Sequence, residues 1–141
     1  MVALCNETNT DMYLNVPHLA TDEYITHLAR LLAYGSDGDL PYQTTQADPV
    51  YSPLNSELSV YVEFSNEIWN WGFAQRTWAD LEAADLEITT EQFNATQFSR
   101  AWEIFESILG EDRVLRSAAV WTASSSYTTP FISSFYADPE L

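Results

Sequence analysis

An asparagine and a glutamate stand side by side where a strand-like segment ends, and two tryptophans follow them. In VYVEFSNEIWNW (60–71), apolar side chains alternate with polar or amphipathic ones, which predicts a strand with one apolar face. Asn66 and Glu67 come directly after this alternation, and Trp69 and Trp71 lie within four residues of Glu67. If the strand geometry continues, Glu67 lies on the polar side of the sheet.

This set of side chains suits acid–base chemistry on a sugar. A glutamate shielded by two indoles would lose hydration, and loss of hydration favours the protonated form of a carboxyl group. Such an acid can protonate a leaving-group oxygen near neutral pH. The amide of Asn66 can hold a sugar hydroxyl, and indole faces can stack on pyranose rings. The alternative is that Glu67 is a carboxylate at a helix start and that Trp69 and Trp71 belong to the core.

The elements around this segment predict a parallel sheet. The patterns predict, in chain order, a strand at 12–16, a helix at 21–35, a strand at 58–64, a helix from about 69 to 84, a helix at 89–110 and a strand at 113–121. This alternation is typical of βαβ units with right-handed crossovers. Parallel α/β folds place functional groups at the carboxyl ends of their strands, where Asn66 and Glu67 would lie.

Two segments lack a clear periodic pattern. Residues 36–57 contain several Gly and Pro breakers and predict a long loop, which we interpret as an insertion. The Ser/Thr-rich segment 122–141 is expected to be an irregular tail.

The balance of charge limits the classes of partner. The chain of 141 residues, the length of one domain, has 21 acidic residues against five basic ones and a formal net charge of −16. This charge argues against nucleic acids and membrane surfaces, and it suits a neutral or cationic ligand. It equally suits a salt-rich or extracellular setting. We therefore expect an extracellular protein, although residues 1–11 show no signal-peptide pattern.

The sequence predicts no metal and no cofactor. Cys5 is the single cysteine, and His18 and His27 are the two histidines. The Asp-Gly-Asp cluster at 37–39 could contact calcium, but it lacks the spacing of an EF-hand loop, which favours a solvated turn.

The segment YVEFSNEIWNW (61–71) resembles the acid/base segment of the clan A glycoside hydrolases, which are (β/α)8 barrels. It is most similar to cellulase-like barrels and bacterial cellulose-binding-domain-containing proteins. In those proteins a segment like NVPHLATDEYITHLARLL (15–32) comes before one like VYVEFSNEIWNW. The resemblance covers residues 9–35 and 57–121.

The resemblance implies roles for particular residues. Glu67 would be the general acid/base, and Asn66 would bind the sugar 2-hydroxyl. Asn15 and His18, at the end of the preceding strand, would line the cleft. His18 has an alternative role as a cap of the next helix or a donor to a backbone carbonyl. Glu63 is expected to be a structural carboxylate paired with an arginine of another strand.

The chain departs from the clan pattern at two points. Ile68 stands where many members have proline after the catalytic Glu. The clan's nucleophile, a second Glu at the end of the seventh strand, has no counterpart before the tail, where Glu140 lies. A complete barrel takes about 250 residues. The predicted fold is therefore α/β, a partial (β/α)8 barrel of about three parallel strands with their helices, and residues 1–141 are interpreted as one barrel fragment.

These observations lead to one expected function and two alternatives. The expected function is that of a fragment of a retaining glycoside hydrolase, which acts on a β-linked polysaccharide or oligosaccharide and is inactive alone. One alternative is a non-catalytic carbohydrate-binding α/β protein. The other is an acidic α/β domain with an unrelated role.

Overall fold

The computed structural model describes residues 1–137. Its elements are α1 (Val2–Thr8), β1 (Met12–Val16), α2 (Asp22–Tyr34), β2 (Val60–Phe64), α3 (Ala74–Asp85), α4 (Thr90–Leu109), a 3₁₀ turn (Glu111–Arg113), β3 (Val114–Ser117) and α5 (Ser125–Ala137). Glu140 lies outside the described residues. Within residues 1–137, no helix combines the length and the apolar character needed to cross a membrane.

The three strands form one parallel sheet in the order β1-β2-β3. Met12 pairs with Val60, and Val60 pairs with Val114, so the strands are in register along the sheet. The prediction of parallel, adjacent strands is confirmed. The fold is α/β, with the strand order and one-sided helices of part of a (β/α)8 barrel.

One face of the sheet packs on the helices. The β2 side chains Val60, Val62 and Phe64 are fully buried, and α4 lies directly against β2. Trp102 of α4 donates its indole N–H to the carbonyl oxygen of Val62 at 2.8 Å, and Phe98 meets Phe64 edge-on at 5.7 Å. The apolar face of β2 thus packs on α4, and α2 also packs mainly on α4.

The other face of the sheet is not covered within residues 1–137. Tyr13, Tyr61 and Leu115 are 48%, 40% and 36% exposed, and the two tyrosine rings stack with centroids 6.1 Å apart. Glu63 on this face is buried and accepts a hydrogen bond from the Tyr13 hydroxyl, which also lies 3.0 Å from Ser117 Oγ. The prediction that Glu63 pairs with an arginine is therefore wrong within residues 1–137. Tyr13 of β1 takes that place, and Ser117 of β3 contacts the Tyr13 hydroxyl.

Two predicted boundaries are corrected by the structure. The helix expected from Trp69 begins at Ala74, because residues 65–73 form bends and turns. The strand expected at 113–121 ends at Ser117.

The segment expected to be irregular contains α5. Its Tyr127 and Phe131 are buried, and Phe131 and Phe135 meet Phe98 and Trp102 of α4, respectively. Aromatic residues at i, i+4 and i+8 thus bury one side of α5. This packing stabilises the helix in spite of its many Ser and Thr residues and of Pro130.

The segment 36–57 crosses the end of α2 and has ordered contacts. Leu54 is buried, and its N–H bonds to the carbonyl of Leu32. Asn6 of α1, a helix that the sequence analysis did not predict, donates to Pro53 O and accepts from the Asn55 N–H. In the 37–39 cluster, Asp37 accepts the N–H groups of residues 39 and 40.

Candidate functional site at the carboxyl ends of the strands

The backbone turns sharply at the Asn-Glu pair. Ser65 and Glu67 have φ values of 65° and 47°, in the left-handed region that non-glycine residues rarely adopt. The Ser65 N–H bonds to the carbonyl of Val16 at 2.6 Å, which ties the turn to the end of β1. Strand geometry therefore does not continue to Glu67, so strand alternation does not fix the direction of its side chain.

Asn70 holds the carboxylate of Glu67. Its side-chain amide donates to Glu67 Oε2 at 2.9 Å, and its backbone N–H donates to Glu67 O at 2.8 Å. Ile68 is fully buried and anchors the turn in the core, which explains an aliphatic residue at this position. Sequence analysis missed Asn70, although its i+3 spacing from Glu67 was a usable signal.

A hollow of about 280 Å³ lies where β1 and β2 end. Its lining includes three of the predicted site residues, Asn15, His18 and Asn66, together with Gln75. Glu67, Trp69 and Trp71 are not among the lining residues. The structure thus brings part of the predicted site together in one concavity.

Hydrogen bonds hold the walls of this hollow in place. Asn15 donates to the Ser65 carbonyl at 2.7 Å, and Gln75 of α3 donates to the Asn66 carbonyl at 2.6 Å. Because both bonds go to backbone oxygens, the Asn66 side chain is not used in them and is exposed.

His18 packs against an aromatic ring of α3. Its imidazole lies 5.3 Å from the Trp78 ring. The α2 cap is provided by Thr21, whose side chain accepts the Tyr24 N–H, so the alternative of His18 as the cap is wrong.

The two predicted tryptophans lie on the β3 side of the turn. Trp69 stacks on Trp121 with the planes 11° apart and the centroids 5.6 Å apart. Trp71 meets Trp121 nearly perpendicularly at 5.8 Å and is 61% exposed. Sequence analysis missed Trp121 because it placed this residue inside a strand.

A larger hollow of about 540 Å³ lies beside α1 and the 36–57 segment, at the opposite end of α2 from His18. Its lining contains no Asp, Glu, His or Arg side chain. We place the candidate site at the smaller hollow because polar side chains at the ends of β1 and β2, His18 among them, line it next to the turn that carries Glu67.

Comparisons with protein families, curated proteins and solved structures find no match to this chain. Within residues 1–137, no group of three or more His, Cys, Asp or Glu side chains is placed to hold a metal ion. The geometry at the strand ends is therefore the basis for a functional proposal.

Proposed function

We propose that this chain is the acid/base-bearing part of a retaining glycoside hydrolase that acts on a β-linked polysaccharide. The observation that carries the proposal is the position of Asn66 and Glu67, in a sharp turn at the carboxyl end of the central parallel strand. Parallel α/β barrels build their active sites at this end of the strands. Two left-handed residues beside Asn66 store backbone strain, which clusters at functional sites.

The side chains around this turn suit a neutral, hydroxyl-rich ligand. The hollow offers the amides of Asn66 and Gln75 and the imidazole of His18, and the tryptophans offer apolar rings on the other side of the turn. The net charge of −16 disfavours a polyanionic ligand. Sugars satisfy these conditions because they combine hydroxyl groups with apolar C–H faces.

In the proposed reaction, Glu67 gives its proton to the glycosidic oxygen as the C1–O bond breaks. A second carboxylate attacks C1, and water later displaces it with Glu67 as the base. In retaining enzymes the two carboxyl groups lie about 5–5.5 Å apart. The segments that follow β1 (17–21) and β3 (118–124) contain no Asp or Glu, so the nucleophile must come from elsewhere.

A non-catalytic carbohydrate-binding protein is the second candidate. Two observations favour it: the Glu67 carboxylate is bonded to Asn70, and no acidic residue follows β1 or β3 at this edge of the described sheet. Both candidates predict sugar binding, but only the first predicts proton donation by Glu67.

Calorimetric titration of the chain with β-1,4-linked glucose oligomers of two to six units tests the proposal. We expect binding, and we expect N66A to weaken it by about ten-fold, the equivalent of one hydrogen bond of about 1.4 kcal/mol. Q46A is the matched control, because Gln46 is an exposed amide in the 36–57 segment. Absence of binding to every β-linked oligomer, or equal effects of the two variants, would overturn the proposal.

A further inference from the structure

Each of the three consecutive backbone carbonyls at the Asn-Glu turn, in residues 65–67, accepts a hydrogen bond. The donors are, in chain order of the carbonyls, the side-chain amide of Asn15 at 2.7 Å, the side-chain amide of Gln75 at 2.6 Å and the backbone N–H of Asn70 at 2.8 Å. Because β2 ends at Phe64, these bonds take the place of sheet pairing for the carbonyls of the turn.

The bond from Gln75 acts on the peptide unit directly before Glu67. The Asn66 carbonyl and the Glu67 N–H belong to one planar peptide unit, so a donor that fixes this carbonyl also fixes the plane from which the φ of Glu67 is measured. The bond from the Asn70 N–H to the Glu67 carbonyl fixes the following peptide plane in the same way. Hydrogen bonds therefore hold both peptide planes that flank Glu67.

The backbone of Glu67 needs this support. Its φ of 47° lies in the left-handed region, which is strained for a residue with a side chain and persists only where the surrounding structure holds it. Without the Gln75 donor, the peptide unit before Glu67 is free to rotate towards an ordinary φ. The carboxyl group would move with it.

Helix α3 gives Gln75 a fixed position relative to the turn. Trp78, one helical turn further along α3, meets Phe64 at the end of β2 with ring centroids 6.4 Å apart, and it meets Phe93 of α4 at 5.2 Å. Ala79 and Ala83 on the same helix are buried. The first turn of α3 is thus packed against the strand that leads into the turn.

The contacts of the carboxylate distinguish its two oxygens. Glu67 Oε2 accepts the Asn70 amide at 2.9 Å, and the amide oxygen of Asn70 in turn accepts the Gly72 N–H at 2.9 Å, which fixes the orientation of that amide. Glu67 Oε1 has no hydrogen-bond partner within residues 1–137. It is therefore the oxygen that is free to carry a proton to a ligand.

We propose that Gln75 is a positioning residue for proton donation by Glu67. Its hydrogen bond to the Asn66 carbonyl holds the backbone in the conformation that directs Glu67 Oε1 at the glycosidic oxygen. This inference rests on the proposed function, and it adds to that function a residue of α3 that acts through the backbone rather than on the carboxylate.

The test uses the whole chain with azide as the nucleophile and an aryl β-glycoside of the β-1,4-linked glucose dimer as the substrate. Azide forms a bond to C1, the C1–O bond to the aryl group breaks, and Glu67 gives its proton to the departing oxygen. Q75M keeps the length of the side chain but removes its donor. Phenol release should slow by about ten- to a hundred-fold, because a misplacement of about 1 Å costs about a hundred-fold in rate. Dinitrophenol needs no proton to leave, so its release should be unchanged, as should the affinity for the glucose hexamer.

Two further variants separate positioning from a loss of folding. Q97M is the matched control, because Gln97 is also a half-buried helix glutamine with one side-chain hydrogen bond, to Arg100. Q75E has no donor at neutral pH and should behave like Q75M there. Below about pH 4.3 its carboxyl group is protonated and can donate to the Asn66 carbonyl, so its rate relative to the wild type should rise. Destabilisation alone would not be reversed by acid.

The outcomes separate this inference from the proposed function. Slower release of phenol but not of dinitrophenol in Q75M, with recovery of Q75E in acid, supports the positioning role. If Q75M behaves like Q97M, the inference is wrong and the proposed function stands. Weaker binding of both aryl glycosides, with their relative rates unchanged, would assign Gln75 to direct contact with the sugar and would also overturn the inference. If the wild type shows no azide-supported turnover, Glu67 is not a proton donor and both proposals are wrong.

Discussion

At the scale of single residues, the proposed acid role depends on how Glu67 is held. Its backbone is left-handed, its carboxylate accepts the Asn70 amide, and the following Ile68 is buried. These contacts limit the directions that the carboxyl group can take. A proton donor needs such restraint, because it must first lie within hydrogen-bond distance of the oxygen that it protonates, and only then does its pKa matter.

Substitution of Glu67 tests its role without a protein nucleophile. Azide can attack C1 of a bound aryl β-glycoside while Glu67 gives its proton to the departing oxygen, which yields a glycosyl azide of inverted configuration. E67Q should slow this reaction by about 10²–10⁴-fold for a phenyl leaving group. The loss should be much smaller for a dinitrophenyl group, which leaves without protonation. Product formation measured by chromatography checks this.

The control for E67Q is E57Q, because Glu57 is an exposed carboxylate just before β2. E57Q should match the wild type with both glycosides. Equal losses for both leaving groups in E67Q, or no azide-supported turnover by the wild type, would remove Glu67 from the acid role. The binding candidate would then be favoured.

Tyr13 and Glu63 form the polar contact at the centre of the open sheet face. Burial and the hydrogen bond to Glu63 raise the pKa of Tyr13 above its ordinary value. Y13F leaves the buried carboxylate without this donor, so we expect a loss of about 1–3 kcal/mol in unfolding free energy at pH 7. Urea unfolding measures it. Y61F is the control, because the Tyr61 hydroxyl makes no hydrogen bond within residues 1–137.

The same contact predicts a pH dependence. Because the folded pKa of Tyr13 is raised, its stabilising contribution is complete below the unfolded pKa of 10.0 and is lost as the pH rises through the folded value. The stability difference between wild type and Y13F should therefore shrink as the pH is raised above 10. A difference that stays constant or grows over this range would contradict the assignment.

At the scale of elements, local signals at helix ends agree with the observed boundaries. Thr89 and Gln92 form a reciprocal capping box at the start of α4, and Thr21 caps α2. Gly35 and Gly110 end α2 and α4 with positive φ. These five residues act through local hydrogen bonds or backbone conformation, so their signals can be read from the sequence of each segment.

Two glycine substitutions separate backbone strain from steric collision. Gly110 has φ of 90° with open space around it, so G110A should cost only the strain of about 1–3 kcal/mol. Gly35 has φ of 78°, and a Cβ there would collide with the Tyr51 backbone oxygen. G35A should therefore be clearly less stable than G110A in thermal melts. Equal melting temperatures of G35A and G110A would show that the 36–57 segment does not closely contact the end of α2.

At the scale of the whole molecule, the sheet is covered on one face only. Tyr13, Tyr61 and Leu115 remain exposed on the other face, and β1 and β3 have no further strand beside them within residues 1–137. An exposed aromatic face with open edges favours association. The net charge of −16 opposes it, and salt screens that repulsion.

We therefore expect salt-dependent self-association of the chain. Sedimentation velocity should show mainly monomer at about 10 mM salt and larger species at about 1 M, where the Debye length falls from about 30 to 3 Å. L115K should reduce this association, because it places a charge on the open face. L81K is the control, since Leu81 is an exposed leucine of α3. A monomer at every salt concentration would show that the open face of the sheet does not mediate self-association.

The sequence by itself determined the parts of this protein that depend on local chemistry. Apolar alternation placed β2, a helical stripe with caps placed α2 and α4, and the strand–helix order predicted a parallel sheet with Asn66 and Glu67 at a carboxyl end. The expectation of a neutral or cationic ligand likewise comes from composition and charge, which do not depend on the folded positions of the residues.

Only the tertiary structure decided which distant residues meet. The partners of Trp69, Glu63 and α5 are Trp121, Tyr13 and α4, each contributed by another element. Likewise, the left-handed turn at Ser65 and Glu67 is held by the bond to Val16 and the burial of Ile68, and it ends the strand geometry before Glu67. Local patterns report the preferences of one segment, whereas these contacts arise when packing between segments outweighs those preferences.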